Sequence, residues 1–483
     1  MRFLLTVLSL IFLLPCVPAQ TLTVSEEIPL RTDTEYYIVG KQGGHVLMFQ
    51  DRGTKHFLTG YGRNMNQNWE KELELRGRNV KLLETQERAD GSGFCLLYFY
   101  RESGRRHLQL DIYSPAGDLR DSVTLAQFQP FILNPDDLVV SSQDNSKALV
   151  LIAETQSRVR CIGVDLMAEE DMLLFDRTLE PEKFFFNEHF LQAEISNEGE
   201  MIFVAERDNF RSKRKDHRYE VFVTGPASPT VVTQEVSFGD SLTYDIAFRY
   251  DNANRRMTAA GLYTTKDMMR ADGYFFVTFS PTAVQNVRPV FNRFPVSLIR
   301  NVEGKKFNKK RPALDEISVR DIVLRRDGGV VLVTERNRQM QRRSTAAQLQ
   351  VMNTYNGRPL VDHYYNEIIA FGIHPDGSPH WSNIMHKKQY SQDDGGVFSS
   401  YFMMESPRAV RFLFNDEIRF ENTVSEYVMN GRGEFDRNSL FHTRDLDLRL
   451  RFRDGIQVAA NEIIVPSELR NRLRLVKVTY ESK

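Results

Sequence analysis

The sequence contains few of the residues that mark disulfide-stapled or membrane-spanning proteins. Of 483 residues, three are cysteine and two are tryptophan. A small disulfide scaffold is therefore excluded, because such folds need several paired cysteines. Linkers rich in Pro, Gly and Ser are absent. Beyond the N-terminus, no apolar run approaches the roughly 20 residues that a membrane-spanning helix needs.

Neither sign of charge is in excess. The chain has 63 Lys and Arg residues against 64 Asp and Glu, a formal net charge of −1. Nucleic-acid-binding domains are usually strongly basic, so we expect no nucleic-acid partner. The nucleophile-elbow, zinc-protease and P-loop motifs are also missing. The sequence therefore predicts no cofactor and no metal site, and it points to no catalytic residue.

The N-terminus has the pattern of a secretory signal peptide. Arg2 precedes an apolar run from residue 3 to 14, and small residues lead up to Ala19. We expect cleavage after Ala19, which leaves residues 20–483 as an exported protein, periplasmic, extracellular or at the cell surface. Lipidation of Cys16 and an uncleaved anchor are the alternatives.

Cys95 and Cys161 each lie in or beside an apolar strand-like run. An oxidising compartment would allow them to pair, but a disulfide needs Cα atoms within about 7 Å. We expect two buried thiols, since free cysteine behaves as a small apolar residue.

Short β-strands account for most of the chain. Runs of four to eight residues rich in Val, Ile, Phe, Tyr and Leu alternate with turn residues. Helical periodicity is almost absent, and the best helix candidate is residues 344–352. The pattern is typical of an all-β protein.

One hairpin recurs along the chain. Residues 112–122, 372–382 and 428–438 align, and each has a strand, a turn with a glycine, and a second strand that begins with polar residues. A looser copy at residues 61–73 places Trp69 where Trp381 falls. Repeated hairpins at intervals of roughly 45 to 70 residues are typical of propeller blades.

The spacing divides the mature chain into eight units, and the last has only three strands of its own, at residues 448–452, 457–466 and 472–480. We predict that the run from Thr21 to Leu30 supplies the fourth strand and closes the ring. The predicted fold is one all-β domain over residues 20–483, a closed β-propeller of eight, alternatively seven, four-stranded blades. The units are residues 31–76, 79–125, 137–180, 187–237, 242–297, 316–387, 398–440 and 446–480.

Two hairpins resemble a known type of blade. The turn at Gly377 followed by Trp381 and Ser382, and the segment that begins at Trp69, resemble quinoprotein-like propeller repeats. The resemblance implies a propeller architecture. It implies no quinone site, because the residues that hold that cofactor have no matching positions.

Three basic clusters fall in loops that a propeller places on one face. We call the four strands of a blade A to D in chain order. In each blade, the B–C loop and the D–A connection to the next blade share a face. The clusters belong to the B–C loop of unit four, the D–A connection between units five and six, and the B–C loop of unit six. The predicted binding residues are Arg211, Lys213, Arg214 and Lys215, then Lys305, Lys306, Lys309, Lys310 and Arg311, then Arg336, Arg338, Arg342 and Arg343. Their convergence predicts a local positive potential on a nearly neutral protein.

This basic face predicts a non-catalytic binding or assembly module. Its partner would be an anionic polysaccharide or an acidic envelope protein. One alternative is a glycoside hydrolase or lyase with carboxylates from different blades in the central funnel. Another is a structural subunit of an envelope complex, which an exposed apolar patch would indicate.

Two further motifs have structural explanations. His374, His380 and His386 recur every six residues, yet the first two flank a turn, so we expect surface or packing roles instead of a zinc site. The pair Asp393 and Asp394, followed by two glycines, lacks the spacing of a calcium loop, and we expect a turn between blades.

Overall fold

The computed structural model describes residues 20–31, 34–128, 137–209, 217–266, 268–283, 287–341, 361–418 and 422–481. Residues 1–19, on which the predicted signal peptide falls, and residues 344–352, the predicted helix, lie outside these ranges. Within them, no helix is long and apolar enough to cross a bilayer.

The strands follow one another along the chain with short connections. The first half contains β1 Gln20–Val24, β2 Ile28–Pro29, β3 Glu35–Gln42, β4 His45–Asp51, β5 His56–Tyr61, β6 Gln67–Leu73, β7 Arg78–Glu87, β8 Phe94–Glu102, β9 Arg105–Tyr113, β10 Leu119–Phe128, β11 Asp137–Ser141, β12 Lys147–Ala153, β13 Val159–Asp165, β14 Leu173–Leu179, β15 Phe190–Ile195, β16 Met201–Arg207, β17 His217–Gly225 and β18 Ser228–Gly239.

The second half contains β19 Leu242–Asp251, β20 Arg256–Thr264, β21 Gly273–Phe279, β22 Val290–Arg293, β23 Ile317–Leu324, β24 Val330–Gln341, β25 Val361–Ile373, β26 Pro379–Met385, β27 Gln389–Gln392, β28 Phe402–Glu405, β29 Ala409–Asn415, β30 Thr423–Asn430, β31 Phe435–His442, β32 Ile456–Ala459, β33 Glu462–Leu469 and β34 Arg472–Tyr480. Two α-helices, α1 Phe186–His189 and α2 Val296–Glu303, interrupt the strand series, together with three short 3₁₀ turns.

Eight antiparallel sheets form the eight blades of a propeller, which confirms the predicted fold and the count of eight. Blades 1 to 7 begin at β3, β7, β11, β15, β19, β23 and β28, and blade 8 begins at β32. In each blade the first strand is innermost and lines the central channel. The B–C loops and D–A connections lie on what we call the top face, and the A–B and C–D turns lie on the bottom face.

The N-terminal strand closes the ring, as the sequence predicts. β1 pairs with β34 in continuous antiparallel register, from Gln20 opposite Tyr480 to Val24 opposite Val476. β1 is thus the outer strand of blade 8. The sequence-based prediction that residues 448–452 form a strand of that blade is wrong.

Residues 448–452 are not a strand of blade 8. The inner strand is β32, and the earlier segment makes one isolated bridge, Leu450 to Ser467, before a 3₁₀ turn. Leu448, Leu450 and Phe452 are nevertheless almost fully buried. Their alternation imitates a strand because all three side chains enter the core between blades 7 and 8.

The hydrophobic core consists of eight clusters, one between each pair of neighbouring blades. Val and Leu side chains from both faces of each sheet enter them, as expected for sheets that pack on both sides. The cluster between blades 8 and 1 joins Leu475 to Met48, so packing as well as strand pairing closes the ring. The cluster between blades 5 and 6 also takes in Leu298 and Ile299 of α2.

The recurring hairpin is the C–D hairpin of blades 2, 6 and 7. Gly117, Gly377 and Gly433 have φ angles of 76°, 84° and 82°, and each donates its N–H to the carbonyl three residues earlier. Side chains rarely adopt this φ, which explains the glycines. In blade 6 the Trp381 ring packs over Gly372 of the neighbouring strand, where a Cβ would lie 2.5 Å from the ring.

Cys95 and Cys161 are both buried free thiols, as predicted. They lie on β8 and β13, in the cores between blades 2 and 3 and between blades 3 and 4. Burial raises the pKa of the Cys95 thiol to about 12. Both cysteines therefore serve as small core residues.

Deleting residues 20–24 tests the ring closure. We expect the free energy of unfolding to fall by about 3 kcal/mol or more, because Leu22 and Val24 leave the core and β34 becomes an open edge. Chemical denaturation followed by tryptophan fluorescence measures the change. The matched control Thr21→Ala, at an exposed position of β1, should stay within about 0.5 kcal/mol of the parent. An unchanged deletion variant would show that the ring is stable when open.

Candidate functional site

The connection between blades 5 and 6 carries an exposed lysine cluster on the top face. Helix α2 anchors this connection because Leu298, Ile299 and Val302 are buried in the core. A 3₁₀ turn at Gly304–Lys306 follows, and the chain then runs over the surface. Exposed on it are Lys305, Lys306, Lys309 and Lys310, which we call the lysine connection. None of the four forms an ion pair with any other described residue.

A buried ion network holds in place the residues that directly precede the lysine connection. The carboxylate of Glu303 lies 3.6 Å from Arg270 of the blade 5 B–C loop and 3.8 Å from Arg336 at the top of blade 6. Arg336 also donates a hydrogen bond to the Val302 carbonyl at 3.3 Å. Burial, and then the nearby Asp315 carboxylate, raise the pKa of Glu303. The network therefore holds three top-face segments together.

Apart from the lysine connection, the predicted binding residues fall into three groups. Arg336 and Arg338 already have partners within the protein, since Arg338 lies 3.0 Å from Glu316 and stacks over Tyr364. Arg311 is half-buried at the end of the lysine connection. The remaining positions lie outside the described residues: Arg211, Lys213, Arg214, Lys215, Arg342 and Arg343. Uncompensated positive charge on the described top face is therefore concentrated on the lysine connection.

A polar cavity of about 960 Å³ opens in the wall of the central channel. The inner strands of blades 1, 2 and 8 line it, and its carboxyl groups include Glu35, Glu84 and Glu87. Tyr36 and Tyr37 supply aromatic walls, and Gln86, Gln457, Thr85 and Arg451 add further polar groups. The described part of the channel wall is therefore polar at this cavity.

The Tyr37 hydroxyl contacts one of these carboxyl groups. Its hydroxyl donates a hydrogen bond to Glu35 at 3.1 Å. Burial, and then Glu35, raise the pKa of Tyr37 to about 12, and the charge of Glu84 adds to this effect. Burial also raises the pKa of Glu84, against a hydrogen bond that its carboxylate accepts from the Thr85 N–H. A carboxyl group with a raised pKa can act as a general acid.

The opposite side of the channel holds a second constellation. Arg249 of blade 5 lies 3.0 Å from Glu194 of blade 4 and 3.0 Å from Asp321 of blade 6. The guanidinium thus bridges three inner strands. Next to it, burial and then the charge of Asp321 raise the pKa of Glu405 on blade 7.

Blades 6 and 7 meet over a fully buried ion pair. Lys387 Nζ lies 2.6 Å from Glu335, and neither side chain is exposed. Glu335 also accepts a hydrogen bond from Ser400 at 2.8 Å, and Lys387 donates one to Gln389 at 3.0 Å. Burial lowers the pKa of Lys387, and Glu335 opposes the shift. Because both side chains are enclosed by described residues, we assign the pair a structural role.

The histidine and aspartate motifs are placed as packing and turn residues. The rings of His374 and His380 pack against each other at an interplanar angle of 34°, with centroids 4.4 Å apart, beside the Gly377 turn. Asp394 accepts hydrogen bonds from Ser391 and from the Gly396 N–H within its own turn. Among the described residues, no group of three or more His, Cys, Asp or Glu side chains could hold a metal ion.

Comparison with known proteins gives structural neighbours without a family. No family model and no curated protein matches the chain. It is similar to an oligogalacturonate lyase from Vibrio parahaemolyticus, with 8% identity, a TM-score of 0.41 and coverage of 94% of this chain and 98% of that one. It is also similar to the β-propeller domain of the Trilobed protease from Pyrococcus furiosus, with 9% identity, a TM-score of 0.37 and coverage of 84% of this chain and 95% of that one. Prolyl oligopeptidase B from Galerina marginata is similar with 11% identity, a TM-score of 0.40 and coverage of 94% of this chain and 56% of that one. These identities and TM-scores are too low to indicate a function.

The variant Glu405→Gln tests the electrostatics of the channel. Because the pKa of Glu405 is raised in the folded state, its protonated form favours folding. That contribution is present below the pKa of the unfolded chain and is lost as the pH rises through the folded pKa. We therefore expect the variant to be more stable than the parent at pH 7, with a smaller difference at pH 4, in urea denaturation. Glu74→Gln, at an exposed position after β6, is the control. Equal stability differences at both pH values would contradict the prediction.

Proposed function

We propose that the protein is an exported, non-catalytic binding module that docks an anionic glycan or protein partner on its top face. The observation that carries this proposal is the lysine connection, whose four exposed ammonium groups have no compensating carboxylates among the described residues. Export is part of the proposal and depends on the N-terminal pattern of the sequence.

The contacts that hold the lysine connection in place support this role. A docking surface binds more tightly when its groups are already in place, because less conformational entropy is lost on binding. Helix α2 and the Glu303 network hold both the start of the connection and the neighbouring loops. Clustered charge on such a support also accelerates encounter with an oppositely charged partner.

Replacing Lys305, Lys306, Lys309 and Lys310 by glutamine tests the proposal. We expect binding of dextran sulfate and of polyglutamate, measured by calorimetry at low salt, to weaken by about tenfold or more. Binding by the parent should also weaken as salt is added, since screening acts on exposed charges.

The matched control replaces four lysines elsewhere by glutamine: Lys55, Lys71, Lys81 and Lys183. Lys55 lies in the B–C loop of blade 1, on the same face but across the ring. If both fourfold variants lose affinity equally, the binding depends on net charge alone and the lysine connection is not the site.

A second candidate function is glycoside hydrolysis in the channel cavity, and one observation favours it. Glu84, whose pKa is raised by burial, and Glu35, which accepts a hydrogen bond from Tyr37, line the same cavity of about 960 Å³. In such enzymes one carboxyl group protonates the leaving oxygen while the other acts as nucleophile or base. Glu84 would be the acid and Glu35 the second carboxylate.

Assays on neutral and acidic oligosaccharides test this second candidate. Hydrolysis should fall by about a hundredfold or more in Glu84→Gln, because general acid catalysis contributes at least that much. Glu74→Gln should keep the parental rate. Absence of any hydrolysis by the parent protein across the panel would remove this candidate and leave the docking proposal in place.

A further inference from the structure

Exposed apolar side chains border the lysine connection. Met268 and Met269, in the B–C loop of blade 5, are 41% and 76% exposed, and Val296 at the start of α2 is 49% exposed. We call these three residues the apolar border. Large apolar side chains at such exposure are common singly on protein surfaces, but clusters often mark interaction sites.

Backbone contacts place the apolar border beside the lysine connection. Ala271 and Leu314 exchange two backbone hydrogen bonds, at 2.8 and 3.0 Å, so the blade 5 loop runs along the end of the connection. The Phe294 N–H donates to the Asp272 carbonyl at 3.3 Å, which joins the same loop to the start of α2. Arg270, the residue after Met269, also lies 3.6 Å from Glu303, two residues before Lys305. The apolar border and the lysine connection are therefore carried by neighbouring segments that contact each other.

We propose that this patch docks a protein segment that carries both acidic and apolar side chains. The inference deepens the function proposed above and rests on it. Methionine suits such a contact, because its flexible, polarisable side chain adapts to varied apolar partners and is enriched at protein interfaces. An acidic polysaccharide would satisfy the lysines but would bring no apolar side chain to the exposed surface of the apolar border.

The surroundings of α2 argue against a membrane as the partner. Helices that lie in a bilayer interface present a broad apolar face to the lipid. The apolar face of α2 is already occupied, because Leu298, Ile299 and Val302 are buried in the propeller core. Three separate exposed side chains on two segments are too few to enter a bilayer, but they suffice as anchors for a peptide.

Selection of peptides from a displayed random library against the full-length mature protein tests the inference. We expect the selected peptides to combine Asp or Glu with Leu, Ile, Val or Phe. The best of them is then synthesised and its affinity measured by calorimetry. Two variants are compared, the lysine variant described above and an apolar variant, Met268→Ser with Met269→Ser and Val296→Ser.

Both variants should weaken peptide binding by about tenfold or more. A matched apolar control, Leu119→Ser with Leu173→Ser and Val231→Ser, replaces exposed side chains on the outer strands of blades 2, 3 and 4 and should bind like the parent. The apolar variant should keep the parental affinity for dextran sulfate, which contacts charge alone.

The outcomes separate this inference from the function on which it rests. If only the lysine variant loses peptide affinity, the docking function stands and the apolar contribution is wrong. If neither variant loses affinity for peptide or for dextran sulfate, both proposals are wrong. Tight binding of the parent to vesicles of phosphatidylcholine and phosphatidylglycerol, lost in the apolar variant, would overturn the protein partner in favour of a membrane.

Discussion

The pairing of β1 with β34 is the constraint on which the rest of the molecule depends. It joins residues more than 450 positions apart, from Gln20 opposite Tyr480 to Val24 opposite Val476. With blade 8 completed, every blade packs against two neighbours and all eight inter-blade cores are filled. Within blade 8, β1 also covers the edge that β34 would otherwise present to solvent. It also fixes which loops share a face, and therefore which charges can act together.

Charge is used differently in the interior, in the channel and on the top face. Lys387 and Glu335 neutralise each other where blades 6 and 7 meet, at a place where an unpaired charge would be strongly unfavourable. In the channel, Arg249 bridges Glu194 and Asp321, and burial raises the pKa values of Glu84, Glu194 and Glu405. On the top face the lysine connection is left without such compensation. The described residues therefore offer an outside partner two different kinds of charged surface, the carboxyl groups of the channel and the lysine connection.

Much of the fold can be predicted from the sequence because it depends on local patterns. Gly117, Gly377 and Gly433 mark turns that only a positive φ allows, and they reveal the repeat. Burial is harder to predict. In the sequence, Arg336 resembles the other basic residues of its loop. In the fold it is buried beside Glu303, which lies more than 30 residues earlier in the chain. The channel carboxylates carry no local signal at all, because Glu84 and Glu405 become neighbours of other polar groups only when separate blades meet.

The direction of β1 also determines at which face of the propeller the two ends of the described chain lie. Gln20 and Tyr480 face each other at the lower end of blade 8, while the B–C loop of that blade, at Arg470 and Asn471, lies at the upper end. Both ends of the described chain therefore emerge side by side beneath the ring. Any tether joined to either end would hold the disc by its underside, with the lysine connection and the apolar border turned outward, away from the point of attachment.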